Sequence, residues 1–138
     1  MIPYLVGFDT ETTGVDENDR VIEIALCRYD WEGNRIDSLV KRFDPECPIN
    51  PKAQAVHGIA YADLVGQPKF EAYAQTISDV LQGASMIIAH NIEFDTKMLT
   101  AEFVRSGVRV PQVPSFCTMQ NSRWACFDGK LPKLKELC

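Results

Sequence analysis

The amino-acid sequence predicts an α/β domain in which a three-stranded antiparallel meander opens a mixed sheet and helices pack on that sheet. Three observations lead there. Apolar stretches at about 4–10, 21–29 and 36–43 are joined by short polar, turn-rich segments, too short for the dozen or so residues that a parallel crossover needs. Residues 70–81 then carry apolar side chains at the 3.6-residue period of a helix. Finally, the four-residue apolar stretch Met86–Ala89 runs straight into a second helical pattern. A meander followed by alternating helix and strand gives a mixed sheet with helices on it.

Each element has a local reason. In V-I-E-I-A-L-C-R-Y, Ile22, Ile24 and Leu26 alternate on one face, as a half-buried strand requires. Asp30-Trp31-Glu32-Gly33-Asn34 is a turn signal, and Ile36 to Phe43 reads as the returning strand. Asn50 followed by Pro51 predicts a capped helix start, with proline in the first helical position, and a short helix through Val56. Phe70, Tyr73, Ala74, Ile77, Val80 and Leu81 line one helix face, and Gly83 ends it. A helix from about Ile92 to Arg105 has Phe94, Met98, Leu99, Ala101, Phe103 and Val104 supplying its apolar side, and Gly107 ends it. Val108 to Pro114 is a proline-bounded loop, Phe116-Cys117-Thr118 a brief extended piece, and Met119–Phe127 a further helix. The closing L-P-K-L-K-E-L-C reads as the opening turns of another.

With 138 residues the chain is read as a single domain, residues 1–138, with one core. No apolar run exceeds four residues, so no segment reads as a membrane span. Met1-Ile2-Pro3 does not begin a secretory signal, and the expected location is the cytoplasm. Cys27, Cys47, Cys117, Cys126 and Cys138 make an odd set without a C-x-x-C pair, as expected of reduced thiols, and their spacing does not suit zinc. The net charge of −5 argues against a protein that grips nucleic acid by phosphate neutralisation alone. A nucleic-acid substrate then requires bound cations or a local basic patch. Lys130, Lys133 and Lys135 are one small candidate, and a solvated helix face is the better explanation of them.

The polar residues that composition does not explain lie in two places. G-F-D-T-E-T-T-G at 7–14 puts Asp9 and Glu11 on one face of the first strand. Crowded carboxylates beside an apolar strand repel and lose hydration unless a cation or proton lies between them. H-N-I-E-F-D at 90–95 sits where a buried strand turns into a helix, the edge at which open α/β sheets bind ligands. Asn91 is expected to cap that helix and Glu93 to suit its positive end. The same positive end explains Asp95 less well, since Phe94, Met98 and Leu99 surround it on the helix surface. If the two strands are neighbours, Asp9, Glu11 and Asp95 converge into an oxygen-only cluster suited to Mg²⁺ or Mn²⁺. Two such ions about 4 Å apart can activate water and stabilise a leaving oxygen in phosphodiester hydrolysis. The cations would also give an acidic protein its attraction for a polyanion.

F-D-T-E-T-T-G, P-I-N-P-K-A-Q-A-V-H-G-I at 48–59 and H-N-I-E-F-D, in this order, resemble the DEDD exonuclease family, DEDDh type, which includes the proofreading subunits of bacterial polymerases. Phe116-Cys117 and the L-K-E-L-C at 134–138 extend the likeness over nearly the whole chain. The resemblance implies an RNase H-like fold and metal-dependent 3′→5′ removal of nucleotides from single-stranded 3′ ends; the family acts on both DNA and RNA, and DNA is the favoured expectation here. It implies Mg²⁺ or Mn²⁺ as cofactor, two ions in an intact site, and a polymerase subunit as a partner. Asp9 would bridge both ions, Glu11 would hold the one that activates water, and Asp95 would serve the second through water. Thr12 and Thr13 would lie against the terminal nucleotide, and His57, His90, Asn91 and Phe94 would line its pocket. In the family, a histidine and, five residues on, a fourth carboxylate follow. The 138 residues contain neither, His57 and His90 being already assigned. The expectation is therefore a domain incomplete at its C-terminus, lacking its last helix, with weakened turnover.

Other readings of the same residues remain open. Aspartyl-phosphate phosphatases carry Asp-x-Asp after a first strand, but Glu11 stands at the second position and no matching lysine motif follows. A degenerate exonuclease-like module would hold nucleic-acid ends or a polymerase subunit without cutting. A plain acidic domain would gain no stability from Mg²⁺ or Mn²⁺, whereas a real site must be stabilised by linkage.

Overall fold

The computed structural model describes residues 3–117, which build one mixed sheet of five strands in the order β3-β2-β1-β4-β5. Strand β1 (Leu5–Thr12) pairs antiparallel with β2 (Val21–Tyr29), and β2 pairs antiparallel with β3 (Arg35–Arg42), giving the expected meander. On its other side β1 runs parallel to β4 (Met86–Ala89), and β4 runs parallel to the short β5 (Ser115–Cys117). Helices α1 (Pro51–His57), α2 (Ala74–Gln82) and α3 (Ile92–Arg105) complete the element order. The helix expected at Met119–Phe127, the lysines 130, 133 and 135 and the final L-K-E-L-C lie outside the described residues.

Alternation along β1 sorts its side chains. Val6, Phe8, Thr10 and Thr12 turn into the interior, while Leu5, Gly7, Asp9 and Glu11 occupy the half-covered opposite face. Phe8 faces Leu26 across the β1–β2 ladder, and Leu26 faces Leu39 across β2–β3, so one apolar layer runs over three strands. Ile77 and Leu81 of α2 and Met98, Leu99 and Phe103 of α3 close over it. The β1–β4 ladder stops at Gly7–Ile88, two residues before Asp9, because the chain leaves β4 to start α3. Beyond that point the chain enters α3, whose first turn carries Asp95.

Three local expectations are corrected. The alternation of β2 is broken by a bulge, opposite the Glu11–Thr12 step. The extra residue shifts the local register, so Ile22 joins Ile59 and Leu64 in a small second cluster while Val21 takes a place in the main core. The helix expected over 70–81 is split into a 3-10 turn, Phe70–Ala72, and α2 proper, with Tyr73 at φ −117 between them. A 3-10 turn brings residues three apart onto one side, and here it directs both Phe70 and Tyr73 at Phe43, at centroid distances of 5.0 and 6.2 Å. Finally, Asn91 occupies the N-cap position of α3, but its exposed side chain makes no capping bond. The Asn50 cap forms as expected, Lys52 N–H donating to its Oδ1 at 2.9 Å.

Candidate functional site

Asp9, Glu11 and Asp95 are brought to the carboxyl ends of β1 and β4, as the sequence motifs require. Asp95 lies in the first turn of α3 and is only 3 % exposed. The Thr10 hydroxyl, which points inward between Asp9 and Glu11, donates to Asp95 Oδ1 at 2.7 Å and ties the helix to the strand. Burial raises the Asp95 carboxyl to about 7, the Thr10 bond opposing and the negative charges of Asp9 and Glu11 adding to the rise. Burial likewise raises Asp9; the Thr10 amide opposes this, Glu23 adds to it, and His90 draws it back. The cluster therefore resists full ionisation unless positive charge arrives.

Acids in such surroundings can be neutralised by a divalent cation. The donors are all carboxylate oxygens, the ligands that Mg²⁺ and Mn²⁺ prefer. Among the described residues no three His, Cys, Asp or Glu side chains are already gathered to hold a metal ion. Mg²⁺ takes one or two carboxylates and fills its remaining positions with water and substrate phosphate, so an open set of acids fits it.

The remaining candidates divide into two groups. His90 is buried beside Asp9, with Asn91 exposed and Phe94 half-buried at the start of α3. These three flank the acids. Thr12, Thr13 and His57 instead build the wall behind them. The Ile59 N–H donates to His57 Nδ1 at 3.0 Å, so that nitrogen is unprotonated, and Nε2–H donates to the Thr12 carbonyl at 3.0 Å. With both nitrogens bound to backbone, His57 has its ring surface left to offer a substrate. Thr12 is buried and donates to the Gly14 carbonyl at 2.6 Å. Thr13 is fully buried, its hydroxyl donating to Asp19 Oδ1 and accepting from the Arg20 amide. The Thr13 side chain is thus turned into the fold.

Gly14 has its own steric reason. A Cβ there would lie 2.4 Å from Asp19 Oδ2, the oxygen that accepts the Asp16 amide. Gly14→Ala should displace Asp19, loosen Thr13 and cost about 1–3 kcal/mol as overpacking does, read as a lower urea midpoint with an unchanged slope.

Sequence reasoning missed Thr10, Arg20 and Glu102. Glu102 is 0 % exposed on α3, accepts from Arg20 Nε at 3.1 and 3.0 Å and from Arg20 Nη2 at 2.9 Å, and accepts the Val21 amide at 2.8 Å. Arg105 adds a 3.3 Å ion pair to the same carboxylate and donates to the Glu17 carbonyl. A signal did exist: Asp95, Met98, Leu99, Glu102 and Phe103 follow helical spacing, so Glu102 falls on the buried stripe. An acid on that stripe must be paired.

Comparison with known proteins bears on the family and the fold. An exonuclease (RNase T) family model matches residues 6–138. DNA polymerase III subunit epsilon of Escherichia coli is 32 % identical, over 96 % of this chain and 58 % of its own length. The subunit of the same name from Haemophilus influenzae is 33 % identical over 96 % and 55 %. The chain thus spans little more than half the length of these relatives. Among solved structures, E. coli exonuclease I in complex with a dT13 oligonucleotide superposes with a TM-score of 0.79 at 21 % identity, over 89 % of this chain and 29 % of that one. The five-stranded mixed sheet is accordingly an RNase H-like fold. No helix among the described residues is long and apolar enough to cross a membrane. With its acids at the strand ends and the family match running almost from end to end, this chain belongs to the exonuclease family.

Proposed function

We propose that the protein is a metal-dependent 3′→5′ exonuclease of the cytoplasm that shortens single-stranded nucleic acid from its 3′ end, DNA in preference to RNA, in a proofreading role beside a polymerase subunit. The observation that supports the reading is Asp95 at the start of α3, held by Thr10 of β1, its carboxyl raised by burial and further by the charges of Asp9 and Glu11. The polymerase partnership rests on the relatives named as subunits of DNA polymerase III.

In this reading Asp9, Glu11 and Asp95 hold Mg²⁺ or Mn²⁺. Such ions supply a water activated at neutral pH and charge stabilisation at the phosphoryl oxygens. The chain's own residues do the positioning. Thr10 holds Asp95 against β1, and Asp9 has His90 beside it. Phe94 offers a ring on which a terminal base can stack and Asn91 an amide for its hydrogen bonds. Thr12 and Thr13 set the backbone behind the nucleotide, and His57 locks that backbone through the Thr12 carbonyl. The only histidines of the 138 residues are His57 and His90. Turnover by this stretch alone should therefore lack the family's general base, a contribution of about 10²–10⁴ in rate.

A 5′-labelled single-stranded oligonucleotide incubated with Mn²⁺ should give a ladder shortened one nucleotide at a time from its 3′ end. Asp9→Ala should remove that ladder. Binding of the oligonucleotide without shortening at any Mn²⁺ concentration would instead support a module that holds ends without cutting.

A further inference from the structure

We infer that Glu102 is a positioning residue for the acidic cluster, fixing helix α3 so that Asp95 stays beside Asp9 and Glu11; this rests on the metal-dependent reading above. Asp95 and Glu102 are seven residues apart on α3, two turns and about 10 Å along the axis, on the same face. Each is bonded to the sheet. Asp95 is held by Thr10 on β1, and Glu102 by the Val21 amide at the start of β2. Two anchors on one face prevent a helix from turning about its axis, which a single anchor does not.

The second anchor also returns to β1. Arg20, the fork on Glu102, donates its amide to the Thr13 hydroxyl at 2.9 Å and accepts the Thr13 amide at its carbonyl at 2.9 Å. Thr13 directly follows the β1 residues that carry Glu11 and Thr12. Asp19 holds the Thr13 hydroxyl, and Arg105 of α3 donates to the Glu17 and Asp19 carbonyls of the same loop. The polar bonds thus close a ring from β1 through Thr10 and Asp95 along α3 to Glu102, Arg20, Thr13 and back to β1. A ring of this kind fixes the relative placement of Asp9, Glu11 and Asp95, although Glu102 touches none of them in it. Its full burial and its occupied oxygens also keep it from serving as a ligand itself.

The test is Mn²⁺-dependent thermal stabilisation of the 138-residue chain, which requires no turnover. Glu102→Gln keeps the shape but loses the charge, and Arg20→Lys keeps the charge but loses the fork. Arg28→Gln, which breaks the exposed pair with Asp37 on the sheet, serves as the control for plain loss of an ion pair. The Mn²⁺ concentration giving half the stabilisation should rise at least tenfold in Glu102→Gln and in Arg20→Lys and stay unchanged in Arg28→Gln. Cleavage should lose kcat with KM for the oligonucleotide unchanged. Lower melting temperatures in both site variants with parental Mn²⁺ midpoints would overturn the inference and leave the nuclease reading standing. Absence of any Mn²⁺ stabilisation in the parent chain would overturn the metal-dependent reading, and the inference with it.

Discussion

Asp95→Asn should make the metal-free protein more stable at pH 8 while removing its nuclease activity. Asparagine has the shape of aspartate and still accepts the Thr10 hydroxyl bond through its Oδ1. What it lacks is a charge that the site holds out of solvent. The sign follows from the two states. Below pH 3.8 the carboxyl is protonated both folded and unfolded and contributes no difference. Between 3.8 and about 7 the unfolded chain releases the proton while the folded one keeps it, so stability falls as pH rises. Above pH 7 the loss is complete and constant. At 1.36 kcal/mol per pH unit it reaches about 4 kcal/mol at most. Urea unfolding in EDTA should show parent and variant equal near pH 4 and the variant ahead by pH 8. A gap independent of pH would refute this account of Asp95.

Metal should invert the order. A ligand bound only by the folded state at 100 times its Kd adds about 2.7 kcal/mol. Saturating Mn²⁺ should therefore raise the parent and leave Asp95→Asn nearly where it was. In the end-labelled assay the variant should be slower by at least about 10²-fold, since metal-borne charge stabilisation contributes several kcal/mol and each 1.36 is tenfold. Greater stability with lost activity is the signature of an acid kept for chemistry rather than for folding.

The residues that periodicity could reveal were those governed by local geometry. Asp9 and Glu11 share a face because a strand alternates, and strands β1 to β4 and helix α3 lie within two residues of their expected bounds because apolar period and turn chemistry agree there. Asp95 stood out because Phe94, Met98 and Leu99 surround it on a helix start whose expected cap was Asn91. The departures are long-range. Tyr73 breaks its helix because Phe43, 30 residues earlier, attracts two rings to one side. His57 has the spacing of a pocket residue, yet both its nitrogens hold backbone, Thr12 being 45 positions away. Arg20 and Glu102 meet across 82 positions, and nothing in the period of either segment signals the partner. Thr10 was hidden by its neighbours: between two carboxylates it reads as spacer, although alternation turns it inward to the third acid.

Phe103→Ala should be the most destabilising single change, at about 3–5 kcal/mol, a large part of the 5–15 kcal/mol that a domain commonly has. Phe103 is 2 % exposed and meets Phe70 edge-on at 5.8 Å, and Phe70 meets Phe43 at 5.0 Å. The three rings join α3, the 3-10 turn and the end of β3, elements otherwise far apart in the chain. Their surroundings cannot close on a lost ring, because the 3-10 turn exists to seat Phe70 and Tyr73 against Phe43. Phe103→Leu retains most of the volume and should cost less than about 1.5 kcal/mol. The pair also separates packing from positioning. Phe103 neighbours Glu102 on α3, but it bonds to neither β1 nor the loop at 14–20. Phe103→Leu should lower the melting temperature and leave the Mn²⁺ midpoint at the parental value, whereas Glu102→Gln should move the midpoint. If Phe103→Leu shifts the midpoint as far as Glu102→Gln does, any loosening of α3 is enough to spread the acids, and the polar ring has no special part in holding them.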